Sequence, residues 1–414
     1  MVKEIYNPYE KYGIKRVINA AAVATNVGGS ISPPEVFRAM EDASKSYVYI
    51  PEVQAWAGKV IAEVTGAEAG LPTAGACHGI LLAAAACMMK GTELEKYDPL
   101  EKETWTSIAQ KLPMHSEGLK TEFIVQKCDR NVYDHSVECA GGRFVEIGTA
   151  NGTTEQELDE AFNPQKTAAY YVTLRTDYRP LPLKTVIKIA HKHNAPIIVD
   201  AATENPPKKS LKRFIEMGVD LVVLSGGKEV RGPNNSGILA GRKDLIKLAH
   251  LQAYPFHGVG RSGKMSRETI VGFVTALKLY VAHDEEAVFK ARVAKAKWIS
   301  EQLNKIPNLK TDIFYMTTVV DKEPMVPLVG VKIDEKAFGM TGKDLSDKLM
   351  ASNPKIYAPY ESRFLGPNSA GTLDAYNGKV TINPRGMLEG DEEIVVEKIK
   401  EILAARKLQP IKQK

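Results

Sequence analysis

The sequence predicts an α/β protein with a large domain, built on a mostly parallel sheet between helices, and a smaller α+β domain at the C-terminus. Three observations support this: the length of 414 residues, the alternation of strand-like and helix-like segments up to about residue 280, and a change of pattern beyond residue 305. Several of the predicted strands of the large domain are near-continuous apolar runs, as expected for strands buried on both faces. They are 122–126, 143–147, 168–174, 195–199, 221–224 and 236–240.

Helices are predicted between these strands, for example at 184–193 and 211–217, and one long helix is predicted over 266–305. The first helix begins at Pro33-Pro34, because proline is tolerated in the first helical turn. The polar segment 91–120 is predicted to be a loop with one short helix. A lid and a plain surface insertion are equally compatible with that segment.

The small domain follows the long helix. Its predicted elements are strands at 325–333 and 379–382 and amphipathic helices near 341–352 and 390–406. The predicted division of the chain is therefore an N-terminal arm with the first helix over 1–50, a large domain over 51–285 and a small domain over 286–414.

Composition argues against several classes of protein. Hydrophobic residues make up 44% of the chain and charged residues 25%, so a disordered chain is not expected. The formal net charge of +5 is small and the basic residues do not form one long block, so nucleic acid is an unexpected partner. The longest apolar run, 79–89, is far shorter than the ~20 residues that span a bilayer, and no membrane partner is expected.

The cysteines give no sign of a metal site. The four of them, at positions 77, 87, 128 and 139, form no CxxC pair and have no histidine at zinc-site spacing. A disulfide framework is not indicated either, and the first ten residues lack the apolar core of a signal peptide. The predicted location is the reducing cytoplasm, and no metal is predicted.

Two predicted buried strands each deliver an ionisable side chain at their C-terminal ends. Asp200 ends the run Ile197-Ile198-Val199, and Lys228 follows Leu221–Leu224 through Ser225-Gly226-Gly227. Open α/β sheets bind ligands at this edge, so the two side chains face one crevice. A pyridoxal 5′-phosphate (PLP) enzyme needs such a pair: an amine that condenses with the cofactor aldehyde, and a carboxylate that keeps the pyridine nitrogen protonated. From spacing alone, a helix-capping aspartate and a solvated lysine are equally compatible.

A second segment favours the PLP hypothesis. Leu71-Pro72-Thr73-Ala74-Gly75-Ala76-Cys77-His78-Gly79 opens an apolar helix with small residues. Small residues let backbone N–H groups approach a dianion, and the helix dipole adds attraction. The same residues would also permit tight packing without any ligand.

A third segment, Arg130-Asn131-Val132-Tyr133-Asp134-His135-Ser136, follows the predicted strand 122–126. His135 is a candidate for stacking on the pyridine ring, and Tyr133 is the competing candidate. A lone histidine in a loop is more often structural, so the residues themselves leave this choice open.

Together these segments resemble fold-type I PLP enzymes related to the class V aminotransferases, in particular the family of selenocysteine synthase and D-glucosaminate-6-phosphate ammonia-lyase. The resemblance extends over almost the whole chain and rests on the order and spacing of short motifs. They are Arg16-Val17-Ile18-Asn19-Ala20, Thr65-Gly66-Ala67-Glu68-Ala69, Val199-Asp200-Ala201-Ala202, Ser225-Gly226-Gly227-Lys228, Arg231-Gly232-Pro233 and Ile382-Asn383-Pro384-Arg385-Gly386-Met387-Leu388.

The resemblance implies a seven-stranded sheet and specific roles at the site. Lys228 would form the Schiff base with the cofactor, Asp200 would face the pyridine nitrogen, and His135 would stack on the ring. Thr203 would lie near the phenolic oxygen of the cofactor. The phosphate group would be held by four residues, Gly75, Ala76, Cys77 and Ser225.

For the substrate, the resemblance implies that Arg385 binds a carboxylate, a contact that suits the planar guanidinium. Arg231, Arg261 and Lys264 follow the lysine, and the last two resemble basic residues that bind anions in the selenium transferases. A phosphorylated or otherwise anionic substrate is therefore expected. The arm with Thr25, Asn26 and Gly28 is expected to reach the site of a second subunit, since these enzymes form at least homodimers.

The expected reaction is β-elimination from an amino acid, with release of ammonia and a keto acid. The alternatives are transfer of selenium to seryl-tRNA, transamination and racemisation, which share removal of the α-proton. Bacterial selenium transferases carry an additional N-terminal tRNA-binding domain, whereas the cofactor-domain pattern begins here near Arg16. A Rossmann dehydrogenase is disfavoured because no GxGxxG motif follows an early strand.

Overall fold

The computed structural model describes residues 7–174, 181–361 and 376–405. The strands, numbered in chain order, are β1 (Val17–Asn19), β2 (Ala69–Thr73), β3 (Glu122–Gln126), β4 (Arg143–Ile147), β5 (Thr167–Thr173), β6 (Ile197–Asp200), β7 (Leu221–Ser225), β8 (Gly237–Gly241), β9 (Leu309–Thr317), β10 (Pro324–Ile333), β11 (Lys355–Tyr357) and β12 (Val380–Ile382). The helices are α1 (Pro34–Ser44), α2 (Ile50–Thr65), α3 (Ala76–Met89), α4 (Thr106–Ala109), α5 (His135–Cys139), α6 (Glu155–Glu160), α7 (Leu183–Lys192), α8 (Ser210–Glu216), α9 (Lys243–Gln252), α10 (Arg267–Ala282), α11 (Glu285–Leu303), α12 (Glu335–Phe338), α13 (Gly342–Ala351) and α14 (Asp391–Ala404).

The chain divides into two compact units. The larger unit comprises residues 30–283, and the smaller unit combines the described residues of 1–29 and 284–414. The three-part division based on sequence, with boundaries near 50 and 285, stays a prediction.

The larger unit is built on a seven-stranded sheet with the order β2-β8-β7-β6-β5-β3-β4 within the described residues. Strands β7, β6, β5, β3 and β4 pair in parallel, and β8 runs antiparallel to both of its neighbours. The mostly parallel α/β sheet is therefore confirmed. Strand β2 was not predicted, because its sequence Ala-Gly-Leu-Pro-Thr contains residues that are depleted in strands.

Helix α3 occupies the core of the larger unit and contacts α9, β7 and β8. Its buried residues are almost all apolar and lie on every side of the helix. At Gly79 a Cβ atom would lie 2.9 Å from Cγ1 of Val223, so this position requires glycine. The close approach brings the first turn of α3 to the C-terminal half of β7.

The prediction of one long helix over 266–305 is wrong. The segment forms α10 and α11, which are separated by His283 and Asp284. The Asp284 side chain accepts a hydrogen bond from the Ala287 N–H at 3.0 Å and so caps α11. A pattern of apolar spacing does not detect this cap.

The segment 91–120 contains the short helix α4, as predicted, and a 3₁₀ turn at Glu93–Lys96. The fully buried Trp105 packs edge-on against Phe256, with 5.1 Å between ring centroids. Leu94 and Ala109 are also fully buried. These anchors favour a packed insertion over a lid.

The smaller unit contains the antiparallel sheet β12-β10-β9 and a parallel pair of β1 and β11. Strand β9 was not predicted, because its sequence mixes polar and apolar residues and most of its positions are partly exposed. Arg16 forms an ion pair with the buried Asp391 at 2.6 Å, which ties the N-terminal segment to the start of α14. The smaller α+β domain is confirmed.

Candidate active site

The site in the larger unit begins where β6 and β7 end. These parallel neighbours pair Asp200 with Val223, and Lys228 lies in the turn that follows β7. Asp200 is buried, and Lys228 is partly exposed. Both side chains therefore lie at the carboxyl edge of the sheet, as the sequence predicts.

Asp200 is electrostatically coupled to Lys228. Burial raises the pKa of Asp200, while the Ala202 N–H, which donates to Oδ1 at 3.0 Å, and the nearby Lys228 ammonium act in the opposite direction. The ionised form of Asp200 therefore destabilises the folded protein unless a further cation lies beside it. A cationic group beside this carboxylate would be stabilised.

The first turn of α3 lies at the same place. Cys77 keeps solvent-exposed surface, but the surrounding protein desolvates its thiol and thereby raises the pKa of this group. A hydrogen bond with Ser136 lowers the same pKa. The charges of Asp200 and Lys228 also act on the pKa of Cys77. The structure therefore brings the first turn of α3 close to Asp200 and Lys228.

The backbone around this turn is closely packed on one side and open on another. At Gly237 in β8, which pairs with Ser225, a Cβ atom would lie 2.7 Å from the Gly75 carbonyl carbon. At Gly75 itself, where φ is +98°, no heavy atom of the described residues lies within 4 Å of the Cβ position. Backbone N–H groups at the start of α3 can thus be approached by a ligand.

The loop that precedes α5 is held by the buried carboxylate of Asp134. It accepts hydrogen bonds from Arg130 Nε at 2.7 Å and from the backbone and side-chain nitrogens of Asn131, both at 2.8 Å. The Asn131 amide also donates to Thr173 Oγ1 at 2.9 Å, and Thr173 is the β5 partner of Asp200. These bonds tie the loop to the strand beside Asp200.

Tyr133 and His135, which flank Asp134, differ in their surroundings. Burial raises the pKa of the Tyr133 phenol, and the charges of Cys77 and Asp200 raise it further. The His135 side chain is 76% exposed, and its Nδ1 lies 3.2 Å from Glu138 Oε2. Tyr133 therefore lies close to Asp200 and Cys77, whereas His135 lies at the start of α5.

Arg261 and Lys264 lie on the loop between α9 and α10. The Arg261 guanidinium carbon lies 4.9 Å from the centroid of the Tyr254 ring, and Lys264 Nζ lies 5.6 Å from it. Cations over an aromatic face are attracted by its quadrupole. Two cations therefore lie next to the same aromatic ring.

Arg231 and Thr203 lie in the turns that follow Lys228 and Asp200. The Arg231 Nε donates to the Ile31 carbonyl at 2.9 Å, and Ser30 Oγ donates to the Gly227 carbonyl at 2.9 Å. These contacts fasten the start of the larger unit to the turn around Lys228. Thr203 is exposed three residues after Asp200.

Two predicted substrate residues belong to the smaller unit. Arg385 lies in the 3₁₀ turn Pro384–Gly386, and its N–H donates to Asn383 Oδ1 at 3.0 Å. The Asn383 N–H donates to the Ala20 carbonyl at 2.7 Å, so this turn is joined to the N-terminal segment. Asn26 is exposed in the 3₁₀ turn Thr25–Val27.

Sequence reasoning missed several residues of this site. His78 and Ser136 were not singled out, and neither was the bond between Asn131 and Thr173. Their partners are distant in sequence, and no local pattern marks them. In the described part of the chain, no group of three or more His, Cys, Asp or Glu is placed to hold a metal ion. None of the helices in the described ranges has the length and apolar content that a membrane crossing requires.

The side chains and the backbone geometry of this site are suited to binding PLP. Lys228 supplies an amine, and the buried Asp200 supplies the carboxylate that a protonated pyridine nitrogen requires. The open space at Gly75 and the first turn of α3 suit a phosphate group. This arrangement on a fold-type I framework defines a PLP-dependent enzyme.

Comparisons with known proteins agree with the assignment of a PLP-dependent enzyme. The family model for L-seryl-tRNA selenium transferase matches residues 134–312. The 5′-C-glycyluridine monooxygenase-decarboxylase of Streptomyces sp is 30% identical over 95% of this chain and 92% of its own length. The D-glucosaminate-6-phosphate ammonia lyase of Salmonella typhimurium is 27% identical over 96% of this chain and 98% of its own.

A solved structure of D-glucosaminate-6-phosphate ammonia-lyase superposes with a TM-score of 0.79 and 26% identity, covering 97% of this chain and 99% of that one. The chain belongs to the PLP-dependent enzyme family that includes this ammonia lyase and L-seryl-tRNA selenium transferase. The family and the cofactor predicted from the sequence are thereby confirmed.

Proposed function

We propose that the protein is a lyase that removes a β-substituent from an amino acid and releases ammonia and a keto acid. The observation that carries the proposal is the coupled pair of Asp200 and Lys228 beside the start of α3. The similarity over almost the full length of an ammonia lyase supports this reaction.

In this proposal Lys228 would attach the cofactor, and its amine would also act as the base that accepts the α-proton of the substrate. Bound PLP supplies an electron-accepting ring. Asp200 holds a proton on the pyridine nitrogen, and the cation opposite it offsets the cost of burying this carboxylate. The phosphate group is assigned to Gly75, Ala76, Cys77 and Ser225, and Thr203 is assigned to the phenolic oxygen.

The proposed substrate carries an anionic group. Arg261 and Lys264 are gathered on the Tyr254 ring, and Arg231 lies on the turn that follows Lys228. Arg385 is assigned to the substrate carboxylate and Asn26 to a further polar contact. A fixed guanidinium fork suits a carboxylate, and a compact ammonium suits a phosphate oxygen.

The ring-stacking role is assigned to His135 by resemblance, with Tyr133 as the competitor. We expect His135→Ala to lower turnover by about 10–100-fold, with a changed absorbance spectrum of the bound cofactor, because stacking positions the ring for proton transfer. Steady-state kinetics and visible spectra of His135→Ala and Tyr133→Ala measure this. A normal spectrum in His135→Ala and an altered one in Tyr133→Ala would transfer the role to Tyr133.

A second candidate is oxidative decarboxylation, because the Streptomyces relative that carries this name shares 30% identity over 95% of the chain. Selenium transfer to seryl-tRNA remains the alternative that the family model raises. Transamination and racemisation share the same proton-removal step. The modest net charge of +5 argues against a tRNA substrate.

A substrate screen separates these reactions. The full-length protein is incubated with D- and L-amino acids that bear β-hydroxyl, phosphate or sulfur groups, and ammonia, keto acid, carbon dioxide and oxygen uptake are measured. The proposal expects equal amounts of ammonia and keto acid without oxygen uptake. Amino transfer to a keto acid without free ammonia contradicts the lyase assignment.

We also propose that the protein is at least a homodimer in the cytoplasm. The supporting feature is an exposed apolar surface on and around α1 and α2, which we call the α1–α2 surface: Ile31, Phe37, Tyr47, Tyr49 and Trp56, with Tyr47 94% exposed. Exposed aromatic and large apolar side chains are enriched at interfaces.

Light scattering tests the assembly. We expect the mass of a dimer or a multiple of it, and a shift toward the monomer in a Phe37→Asp, Trp56→Asp double variant, because a buried unpaired charge is costly. Leu388→Asp, an exposed change on the smaller unit, is the control. A monomeric wild-type protein would refute this proposal.

A further inference from the structure

His78 lies in the first turn of α3 and contacts two segments. Its Nδ1 lies 3.1 Å from the Ala74 N, and its Nε2 lies 2.9 Å from the carbonyl oxygen of Gly260. Ala74 belongs to the turn that opens α3, and Gly260 belongs to the loop that carries Arg261 and Lys264. One imidazole thus bonds both segments of the proposed site.

The partners determine which nitrogen carries the proton. A backbone N–H can only donate, so Nδ1 must accept from Ala74 and is unprotonated. A carbonyl can only accept, so Nε2 carries the hydrogen and donates to Gly260. Burial lowers the pKa of His78, which favours this neutral form.

The loop is shaped around the imidazole. At Gly263 a Cβ atom would fall on the His78 ring, and at Gly260 it would lie 3.1 Å from Nε2. The Gly260 N–H donates to the Gln252 carbonyl at 2.9 Å, and the Val259 N–H donates to the Gln252 side chain at 3.0 Å. The loop is therefore anchored to the end of α9 on one side and to His78 on the other.

The two cations depend on this anchored loop. Arg261 directly follows Gly260, and Lys264 directly follows Gly263. Both lie over Tyr254, whose carbonyl accepts a hydrogen bond from Gln54 Nε2 at 2.7 Å. A shift of the Gly260 carbonyl would thus move both cations relative to the start of α3.

We propose that His78 is a positioning residue that sets the cation-bearing loop against the turn assigned to the cofactor phosphate. The inference rests on the proposed function for the identity of those two ligands. The two hydrogen bonds have separable tasks: the Nδ1 bond orders the turn before α3, and the Nε2 bond orders the loop.

Two variants separate these tasks. His78→Asn keeps an acceptor at the place of Nδ1 and removes the donor to Gly260, whereas His78→Gln keeps a donor near the place of Nε2 and removes the acceptor for Ala74. Because one buried hydrogen bond corresponds to about a tenfold change, we expect the PLP dissociation constant to rise about tenfold in His78→Gln and less than about twofold in His78→Asn.

Hydrogen exchange reports on the loop without any turnover. In full-length protein, with and without PLP, we expect exchange in residues 258–264 to be about tenfold faster in His78→Asn and near that of the wild type in His78→Gln. In His78→Ala we expect both the weaker PLP binding and the faster exchange in residues 258–264. Equal losses in the Asn and Gln variants, or wild-type behaviour in both, would overturn the proposal. A wild-type protein that does not bind PLP would refute the proposed function instead, while the exchange contrast would still test the two bonds.

Discussion

Replacing Lys228 with alanine should remove both turnover and the yellow colour of the cofactor-loaded protein. Lys228 follows β7 and acts on the pKa of Asp200 and of Cys77, so its amine lies within the proposed site. Without that amine, the cofactor aldehyde has no nucleophile for covalent attachment and the α-proton has no base to accept it. We expect a loss of about 10⁴-fold in kcat, measured by ammonia release.

Lys243→Ala is the matched control for this experiment. Lys243 is exposed at the start of α9 and lies outside the proposed site. Its replacement should leave both colour and rate unchanged. Undiminished turnover in Lys228→Ala would exclude Lys228 as the attachment point.

Replacing Asp200 with asparagine should have opposite effects on activity and on stability. Turnover should fall by about 10³-fold, because an amide does not hold a proton on the pyridine nitrogen. The protein without cofactor should melt at a higher temperature at neutral pH, because burial raises the pKa of Asp200 above its ordinary value of 3.8.

The sign of the stability effect follows from the raised pKa. Protonated Asp200 favours the folded state at pH values below 3.8, and this contribution is lost as the pH rises through the raised pKa of the folded protein. The gain in melting temperature for Asp200→Asn should therefore be present at neutral pH and small at acidic pH. Asp42→Asn, an exposed change in α1, is the control. A lower melting temperature for Asp200→Asn at neutral pH would contradict this explanation.

The parallel sheet was predictable because several of its strands are apolar runs that alternate with helical segments. Strands β3 and β4 begin and end where the sequence places them, Asp200 ends β6, and Lys228 follows β7. A lysine and an aspartate at adjacent strand ends are informative because few chemistries need that pair.

Other features depend on contacts that no local pattern records. The short strand β2 is set by packing: at Gly70 a Cβ atom would meet Ile61 of α2 at 2.3 Å from Cγ2. The break between α10 and α11 depends on the cap at Asp284. His78 lies in a small-residue helix start, yet its carbonyl partner is 182 positions away. Such contacts require the tertiary structure.

Reduction of the cofactor-loaded protein with borohydride, followed by peptide mass spectrometry, tests the identity of the attachment point most directly. We expect the phosphopyridoxyl group on the peptide that contains Lys228, at close to one group per chain. A group on a different lysine, or no label in protein that has been incubated with PLP, would contradict the assignment on which the proposed reaction depends.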